Sequence, residues 1–384
     1  MAKNKNLHRA YKAKNDEFYT QYNDIQNELN AYIEFDENTF RDKVVLLPCD
    51  DPEWSNFTKF FAQNFERYGI KKLISTSYAA SSNKNKEYYQ VSLFEQESPK
   101  YDEKKTKTHG KMFVLDRDKN KSGRIDIEDL DFEYLEGDGD FRSDEVKKLR
   151  DEASIIITNP PFSLFREFVD WIMEAEKDFL IIGNQNAITY KEIFSLLKEN
   201  KMWLGVTSPK QFIVMQENDE RSNIEKRDNG KIFASFGNIC WFTNLDHGRR
   251  HRPLQLMTMK DNIMYNKKLE EQEYQKYYNY DAIEIPTVNA IPSDYNGAMG
   301  VPITFLHKHN PDQFEIIGLG ISNSGLEIGV RGYLPEHKKY RKEVQKRGAV
   351  DGDLYLLDKS GHPKVPYARI LIKWKKDAPG YEGE

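Results

Sequence analysis

The sequence predicts an α/β protein, in which a largely parallel sheet covered by helices is followed by a smaller α+β domain. Two observations support this. Up to about residue 250, short apolar runs alternate with segments of helical periodicity, which is typical of strand–helix–strand units. The chain is also 384 residues long, more than one hydrophobic core usually accommodates, and the alternation is lost in its last part. We therefore expect one domain over residues 1–250 and a second over residues 251–384.

The first predicted unit is a strand, a helix and a second strand. VVLLP (44–48) is a short apolar run, which indicates a buried strand. Aromatic residues recur at helical spacing from Phe57 to Tyr68, and Gly69 marks the end of this helix. KLIST (72–76) then returns as the second strand. A helix that joins two strands in this way is expected to cross over the sheet.

A hairpin is predicted next. KMFVL (111–115) and RIDIEDLDFEYL (124–135) are strand-like runs on either side of NKSG. The connecting segment DKNKSGRIDIED also carries acids near the spacing of a calcium-binding loop. Its flanks are strand-like, however, and its last ligand position holds Asp129 where Glu is usual. We therefore favour a plain turn.

The remaining strands of the first domain surround one more helix. SIIIT (154–158) and FLIIG (179–183) are continuous apolar runs, typical of strands buried on both faces. Between them, LFREFVDWIMEA places its apolar residues on one helical face. KIFASF and ICWFTN (231–244) predict an antiparallel pair. The segments beyond residue 250 are rich in Tyr, Pro and Gly, which indicates the smaller α+β domain.

Composition narrows the functional classes. The net charge of -5 argues against a uniformly basic nucleic-acid binder. No apolar stretch approaches the length of a membrane-spanning helix, and the N-terminus MAKNKNLHRAYKAK does not resemble a signal peptide. The two cysteines, Cys49 and Cys240, suit a reducing cytoplasm and provide no zinc site. His307 and His309 have no evident third ligand, so no metal is expected.

Four residues directly after SIIIT carry the clearest chemical signal: Asn159, Pro160, Pro161 and Phe162. Ligands of open α/β sheets bind beyond the carboxyl ends of the strands, where these residues must lie. The side-chain oxygen of Asn159 and the carbonyl of Pro160 are two acceptors, and the prolines restrict their directions. Two converging acceptors suit an NH₂ group, and Phe162 suits stacking on a planar base. A turn that merely ends the strand is the alternative interpretation.

The tetrapeptide matches the (Asp/Asn/Ser)-Pro-Pro-aromatic motif of amino-methyltransferases. More closely, the chain resembles adenine-specific DNA methyltransferases of the EcoRI type through KNDEFYTQYNDI (14–25), CDDPEWSNF (49–57), EGDGDFRSDE (136–145) and TNPPFSLF (158–165). The resemblance implies a Rossmann-like sheet, S-adenosylmethionine as cofactor, and methyl transfer to N6 of an adenine in a specific site of double-stranded DNA. It also implies a C-terminal target-recognition region and a restriction–modification system, whose endonuclease would act separately.

The resemblance further implies which residues bind the cofactor. Asp50 and Asp51, just past the first strand, are the expected acceptors for its ammonium group. Asp138 and Asp140 are expected to accept from its adenine amine, and Phe141 to pack against the adenine ring. For each acid taken singly, a turn-forming or helix-capping role is the alternative.

Other parts of the expected cofactor site follow the family less closely. Phe18 and Thr20 resemble the segment that contacts the methionine moiety. The glycine-rich turn that usually follows the first strand is absent, because the segment from Asp51 to Phe57 contains no glycine. The second strand usually leads to an acid for the ribose, whereas Ile74 to Ser77 offer only hydroxyl groups. The contacts of the cofactor in these two places are therefore left open.

Two basic clusters are candidates for phosphate contacts with DNA. The first consists of Arg249, Arg250 and Arg252, and the second of Lys338, Lys339, Arg341 and Lys342. Either cluster alone is also typical of a solvated surface. An adenine stacked and paired in a duplex cannot reach the tetrapeptide, so we expect the base to be flipped out of the helix.

Three other functions are weighed against this one. A methyltransferase with the same motif that acts on RNA or on a protein glutamine would usually lack so large a C-terminal region. A non-catalytic DNA-binding module would not need an intact Asn-Pro-Pro-Phe. The pair Pro48-Cys49 is similar to the nucleophile of cytosine carbon-5 methyltransferases. It lies on the first strand, however, so a small buried cysteine is the better interpretation.

Overall fold

A computed structural model describes residues 19–50, 55–79, 98–214, 224–226, 232–269 and 273–383. Within these ranges the chain forms two compact units. The first unit consists of the described residues of Met1–Gln185 and Leu204–His247, and the second of those of Asn186–Trp203 and Gly248–Glu384. The segment Asn186–Trp203 therefore belongs with the C-terminal residues, although it precedes residue 250.

Up to residue 198, helices alternate with strands largely as the apolar pattern predicted, and five strands then follow one another in the described residues up to 243. In chain order they are β1 (Tyr19–Thr20), α1 (Tyr22–Phe35), β2 (Val44–Leu47), α2 (Asn56–Gln63), β3 (Lys72–Ser77), α3 (Lys105–Thr108), β4 (Lys111–Leu115), β5 (Asp131–Tyr134), α4 (Asp144–Glu152), β6 (Ile155–Thr158), α5 (Phe165–Met173), β7 (Asp178–Asn184), α6 (Lys191–Lys198), β8 (Trp203–Leu204), β9 (Gln211–Val214), β10 (Ile224–Lys226), β11 (Ile232–Ser235) and β12 (Ile239–Thr243).

The largest sheet has eight strands in the order β5-β4-β3-β2-β6-β7-β12-β8. Its centre is parallel, because β2 pairs in parallel with β3 and β6, and β6 pairs in parallel with β7. Every residue of β2 and β6 is buried, as expected for strands covered on both faces. The predicted α/β architecture is confirmed. The carboxyl ends of β2, β3, β6 and β7 point in one direction, and we call the side of the sheet where they end the carboxyl edge.

The predicted pairing of KIFASF with ICWFTN is wrong. β11 joins a separate antiparallel sheet of order β1-β9-β11-β10, whereas β12 pairs with β7 in the large sheet. All five residues of β12 are buried. A strand buried on both faces fits inside the large sheet better than in a hairpin with one face in water.

The predicted hairpin forms between β4 and β5, but β5 begins only at Asp131. The preceding residues form a 3₁₀ turn at Ile127–Asp129. The carboxylate of Asp129 accepts hydrogen bonds from the backbone nitrogens of Lys119 at 2.9 Å and Asn120 at 3.0 Å, which closes the loop. The acids of this loop therefore stabilise the turn. In the described part of the chain, no group of three or more His, Cys, Asp or Glu residues could hold a metal ion.

The second unit has its own sheet. Its further elements are α7 (Met259–Tyr265), β13 (Ala282–Glu284), β14 (Ala298–Pro302), β15 (Phe314–Leu319), α8 (Ser322–Glu327), α9 (Pro335–Glu343), β16 (Leu356–Leu357), β17 (Pro363–Lys364) and β18 (Arg369–Trp374). Four strands form a mixed sheet in the order β13-β14-β18-β15, and β16 pairs with β17. This is the expected α+β organisation. Among the described helices of the whole chain, none is long and apolar enough to cross a membrane.

Candidate active site

The tetrapeptide Asn159–Phe162 lies at the carboxyl edge, directly after the last residue of β6. The carbonyl of Pro161 accepts a hydrogen bond from the backbone nitrogen of Leu164 at 2.9 Å, which starts a 3₁₀ turn over Phe162–Leu164. Helix α5 follows at once. The two prolines therefore turn the chain from a buried strand into a helix, and this turn holds Asn159 and Pro160 at the strand end.

The side chain of Asn159 is oriented by Thr20. Nδ2 of Asn159 donates to Oγ1 of Thr20 at 3.5 Å, so the carboxamide turns its nitrogen towards Thr20 and its oxygen away from it. Thr20 itself is fixed, because β1 pairs it with Phe212 and its carbonyl accepts from Nδ2 of Asn56 at 2.7 Å. The carbonyl of Pro160 accepts no hydrogen bond from any residue that the structure describes. An amide oxygen and a carbonyl that accepts no hydrogen bond from the described residues thus lie on consecutive residues, and their convergence on one NH₂ group stays a prediction.

Phe162 is only partly buried. It packs against the apolar core of the first unit, as does another partly buried aromatic residue, Tyr22. Part of the ring is therefore supported by the core while part remains accessible. This position is compatible with stacking on a base, which stays a prediction.

Asp50 is held differently from what the sequence suggested. Only 6% of the residue is exposed. Its Oδ1 accepts from the hydroxyl of Ser55 at 2.7 Å, and its Oδ2 lies 2.6 Å from the hydroxyl of Thr158. Both carboxylate oxygens therefore lie within hydrogen-bond distance of neutral hydroxyl groups of the protein. Asp51 and Phe18, the neighbouring candidates for cofactor binding, lie outside the described residues.

Residues 136–142 lie beside the end of β3, and we call them the cofactor loop because the family resemblance predicts cofactor contacts there. Gly139 has a φ of +82°, and a Cβ atom there would be 2.4 Å from the carbonyl oxygen of Ser77. Only glycine fits this conformation and this close approach. The carbonyl of Asp138 accepts from the backbone nitrogen of Ala79 at 2.9 Å, which ties the loop to the segment after β3.

The two acids of the cofactor loop differ in their surroundings. Asp138 is exposed, and its Oδ1 accepts from the backbone nitrogen of Asp140 at 3.2 Å. Asp140 forms a two-pronged ion pair with Arg142, with distances of 2.9 Å and 2.6 Å. Burial raises the pKa of Asp140, but hydrogen bonds from Arg142 and from the hydroxyl of Tyr78 outweigh it, so the pKa lies below its ordinary value. Asp138 is therefore the acid better placed to meet a ligand.

Phe141, the predicted packing partner of the cofactor adenine, is the third candidate in the same loop. Phe141 is 1% exposed and packs against Phe168 and Trp171, with ring centroids 5.1 Å and 5.7 Å apart. The ring therefore anchors the loop to α5 and has little surface left for the cofactor adenine.

Sequence reasoning missed Tyr78. It follows directly on β3, and burial together with the charges of Cys49, Asp140 and Asp138 raises the pKa of its hydroxyl. The phenol thus stays protonated and donates to the carboxylate of Asp140, at the place where the family usually has an acid for the ribose. Its position one residue beyond the second strand was the available signal.

Comparison with known proteins identifies the family. The family model described as "Adenine-specific methyltransferase EcoRI" matches residues 6–375. The chain belongs to this family. It is 44% identical to the Type II methyltransferase M.EcoRI of Escherichia coli, over 98% of this chain and 98% of that protein. It is also 36% identical to the Type II methyltransferase M.MgeORF184P of Mycoplasma genitalium, over 81% of this chain and 85% of that protein. No solved structure matches the chain significantly.

Membership of the EcoRI methyltransferase family confirms the resemblance seen in the sequence. The two basic clusters, in which we expect phosphate contacts, differ in how their side chains pack. In the first cluster, Arg250 is not suited to the predicted phosphate contact. Only 9% of it is exposed, its guanidinium lies 3.7 Å from the ring centroid of Trp203, and it donates to the side chain of Asn200. Arg250 therefore packs within the second unit, whereas Arg252 is exposed and Arg249 is partly exposed.

The second basic cluster lies on helix α9. Lys338 forms an ion pair with Asp351 at 2.6 Å, and Arg341 donates to Gln345 and to the carbonyl of Gly348. These two side chains have partners in the protein itself. Lys339 lies 4.0 Å from Glu343, which is a looser ion pair, and both Lys339 and Lys342 are exposed. These two are the better candidates for phosphate contacts. Whether this methyltransferase uses them for DNA stays a prediction.

Proposed function

We propose that this member of the family transfers a methyl group from S-adenosylmethionine to N6 of a flipped adenine in double-stranded DNA, as the modification enzyme of a restriction–modification system. The observation that carries the proposal is the pair of acceptors at the carboxyl edge, Asn159 Oδ1 and the open carbonyl of Pro160. The names of two relatives, which are Type II methyltransferases, support the assignment to restriction–modification.

The tetrapeptide acts on the nucleophile. The exocyclic amine of adenine attacks poorly, because its lone pair is delocalised into the ring. Hydrogen bonds from its two protons to Asn159 Oδ1 and Pro160 O favour the pyramidal nitrogen, whose lone pair can attack a methyl carbon. Phe162, supported by the core, stacks on the base and holds its plane.

The donor set beside the carboxyl edge fits S-adenosylmethionine, which supplies an electrophilic methyl group on a sulfonium when bound. Asp138 offers an exposed carboxylate, and Tyr78 offers its hydroxyl oxygen as an acceptor, because its one proton is donated to Asp140. Asp138 would accept from the adenine amine of the cofactor, and the hydroxyl oxygen of Tyr78 would accept from a hydroxyl group of its ribose. Thr20, Phe18 and Asp51 complete the site as the family resemblance implies.

The second unit is proposed to hold the DNA. Arg249, Arg252, Lys339 and Lys342 are the candidates for phosphate contacts, because their side chains are exposed or partly exposed. Phosphate contacts and stacking on Phe162 would together offset the cost of flipping the base. The stacking alone is worth about 1–3 kcal/mol. A cognate endonuclease that acts separately and a cytoplasmic location belong to the same proposal.

A labelled-methyl assay tests the proposed function. The purified protein and labelled S-adenosylmethionine are incubated with double-stranded DNA, RNA and protein acceptors. We expect label on adenine N6 of the DNA only. Label on RNA or on protein glutamine would establish the alternative substrate class. Cofactor binding by calorimetry without transfer to any acceptor would favour a non-catalytic DNA-binding module.

Base flipping has its own measurement. A fluorescent 2-aminopurine at the target position should brighten when the protein binds, because the base leaves the stack. Neutralising Arg249 and Arg252, or Lys339 and Lys342, should weaken binding to all sequences alike and reduce the salt slope by about one for each phosphate interaction removed. No brightening at any adenine of a verified substrate, with unaltered slopes, would reject this arrangement.

A further inference from the structure

The hydroxyl of Thr158 joins the catalytic strand to the end of β2. Thr158 is the last residue of β6, is wholly buried and directly precedes Asn159. Its Oγ1 lies 2.6 Å from Asp50 Oδ2 and 2.5 Å from the carbonyl oxygen of Pro48. A hydroxyl has one proton, so it donates to one of these two oxygens at a time. Either bond fastens the residue before Asn159 to the neighbouring strand.

Asp50 is fixed from its other sides as well. Its backbone nitrogen donates to the carbonyl of Thr76 at 2.7 Å, and its own carbonyl accepts from the hydroxyl of Ser75. Its Oδ1 accepts from Ser55, whose hydroxyl oxygen also accepts from the backbone nitrogen of Phe57 and caps α2. The carboxylate therefore connects the ends of β2 and β6 to the start of a helix.

The hydrogen bonds of Asp50, together with the covalent links between neighbouring residues, form a closed ring that returns to Asn159. Asn56, the residue after Ser55, donates through Nδ2 to the carbonyl of Thr20 at 2.7 Å. Thr20 Oγ1 accepts from Nδ2 of Asn159 at 3.5 Å. Asn159 is thus held on its backbone side by Thr158 and on its side-chain side by Thr20. We call this set of residues the hydroxyl ring: Thr20, Asp50, Ser55, Asn56, Thr158 and Asn159.

We propose that Thr158 is a positioning residue for methyl transfer, which fixes Asn159 through the carboxylate of Asp50. In this arrangement Asp50 serves the hydroxyl ring instead of the cofactor ammonium. The inference rests on the proposed function, because it assumes that Asn159 accepts from the target amine. A catalytic acceptor must be held within a fraction of an ångström of its productive position, and a displacement of about 1 Å can reduce the rate by about 100-fold.

Thr158→Val removes the hydroxyl at nearly constant volume and breaks the ring. We expect the single-turnover rate of methyl transfer to fall about 10- to 100-fold. The dissociation constants of S-adenosylmethionine and of DNA should change less than about threefold, because no group that binds them is removed. Thr158→Ser retains the hydroxyl and should restore the rate to within about threefold of the wild-type value.

Thr243→Val is the matched control. Thr243 is also a wholly buried threonine at a strand end of the same sheet, and its hydroxyl donates to the carbonyl of Phe179 at 2.7 Å. It lies on β12, which β7 separates from β6. We expect this variant to lose stability as Thr158→Val does but to transfer methyl groups at the wild-type rate. A general loss of buried hydroxyl bonds would slow both variants, and that result would overturn the proposal.

Asp50→Asn separates the two roles of Asp50 and serves as the second variant if Thr158→Val fails to fold. A positioning role predicts a slower transfer rate with cofactor affinity unchanged. An ammonium ligand predicts weaker cofactor binding with the rate at saturating cofactor retained, which would overturn the inference. A wild-type rate in Thr158→Val would do the same. If the wild-type protein itself transfers no methyl group to DNA, the proposed function fails instead.

Discussion

Two regions at the carboxyl edge carry acids of the candidate site, and they are fixed by different interactions. Asp50 is buried and bound by the hydroxyls of Ser55 and Thr158. Asp140, in the cofactor loop, is partly exposed and bound by the guanidinium of Arg142. Buried hydroxyl bonds are little affected by salt, whereas an exposed ion pair is screened. We therefore expect the position of Asn159 to depend less on salt concentration than the position of Asp140.

The largest expected effect concerns the region that is fixed by hydroxyl groups, which includes Asn159. Asn159→Ala should reduce the methyl transfer rate by about 100-fold or more, because one of two preorganised acceptors is removed. The rate is measured in single turnover at saturating cofactor. Asn64→Ala is the control, since it also removes a partly buried amide, whose Nδ2 donates to the carbonyl of Phe60 at 2.9 Å. If Asn159→Ala keeps more than about a tenth of the activity, the role of Asn159 is wrong.

A backbone change should distort the cofactor loop while sparing the hydroxyl ring. Gly139→Ala forces a side chain into a positive φ and against the carbonyl of Ser77. We expect cofactor affinity, measured by calorimetry, to fall about tenfold or more, since such strain costs on the order of 1–3 kcal/mol. Gly137→Ala is the matched control, because a Cβ atom at Gly137 meets nothing within 4 Å. Equal affinities in both variants would contradict the proposed position of the cofactor.

The two acids of the cofactor loop can be ranked by the same measurement. Asp138→Ala should weaken cofactor binding by about 5- to 150-fold, because the bound cofactor would cover this exposed carboxylate and the lost hydrogen bond is then worth roughly 1–3 kcal/mol. Asp140→Ala should have the smaller effect, since the carboxylate of Asp140 is already paired with Arg142. DNA affinity should be unchanged in both. If neither variant alters cofactor affinity, the cofactor adenine lies elsewhere.

The smallest effect concerns the stability that the ion pair provides. The pKa of Asp140 is lowered, so the pair stabilises the fold above the unfolded pKa of 3.8 and this contribution is lost as pH falls through the lower folded value. Arg142→Met should cost about 0.2–1 kcal/mol at neutral pH in denaturant unfolding, and the difference from wild type should shrink as the pH falls below 3.8. Glu167, the second partner of Arg142 at 3.1 Å, offers the comparison variant Glu167→Gln. A cost that does not depend on pH would exclude the pair as its cause.

The sequence predicted the central strands well because burial on both faces leaves a visible apolar run, as in SIIIT and FLIIG. It failed for KIFASF and ICWFTN, because local pattern does not say which sheet a strand joins. The tetrapeptide was found because its unusual residues are consecutive. The hydrogen bond between Thr158 and Asp50 was not, since 108 residues separate them and a threonine at a strand end is common.

Charged residues show the same limit. Arg249, Arg250 and Arg252 are equivalent in the sequence, and only packing on Trp203 distinguishes Arg250 from the other two. Likewise, Lys338 pairs closely with Asp351 at 2.6 Å, whereas its neighbour Lys339 is more exposed and lies 4.0 Å from Glu343. Sequence alone locates a basic cluster, but which of its members face solvent depends on tertiary contacts.

If the second unit holds the DNA, as we propose, the path of the chain between the two units restricts how specificity can be exchanged between relatives. The polypeptide passes from one unit to the other after Gln185, after Trp203 and again after His247. Helix α6 in the middle segment is held by the C-terminal residues, because Lys198 donates to the carbonyl of Ile317 at 2.7 Å and Lys191 pairs with Glu327 at 2.6 Å. A chimera joined at a single point near residue 250 would therefore separate α6 from its native partners. A functional graft must carry both segments, which makes recombination within this family a two-insert problem.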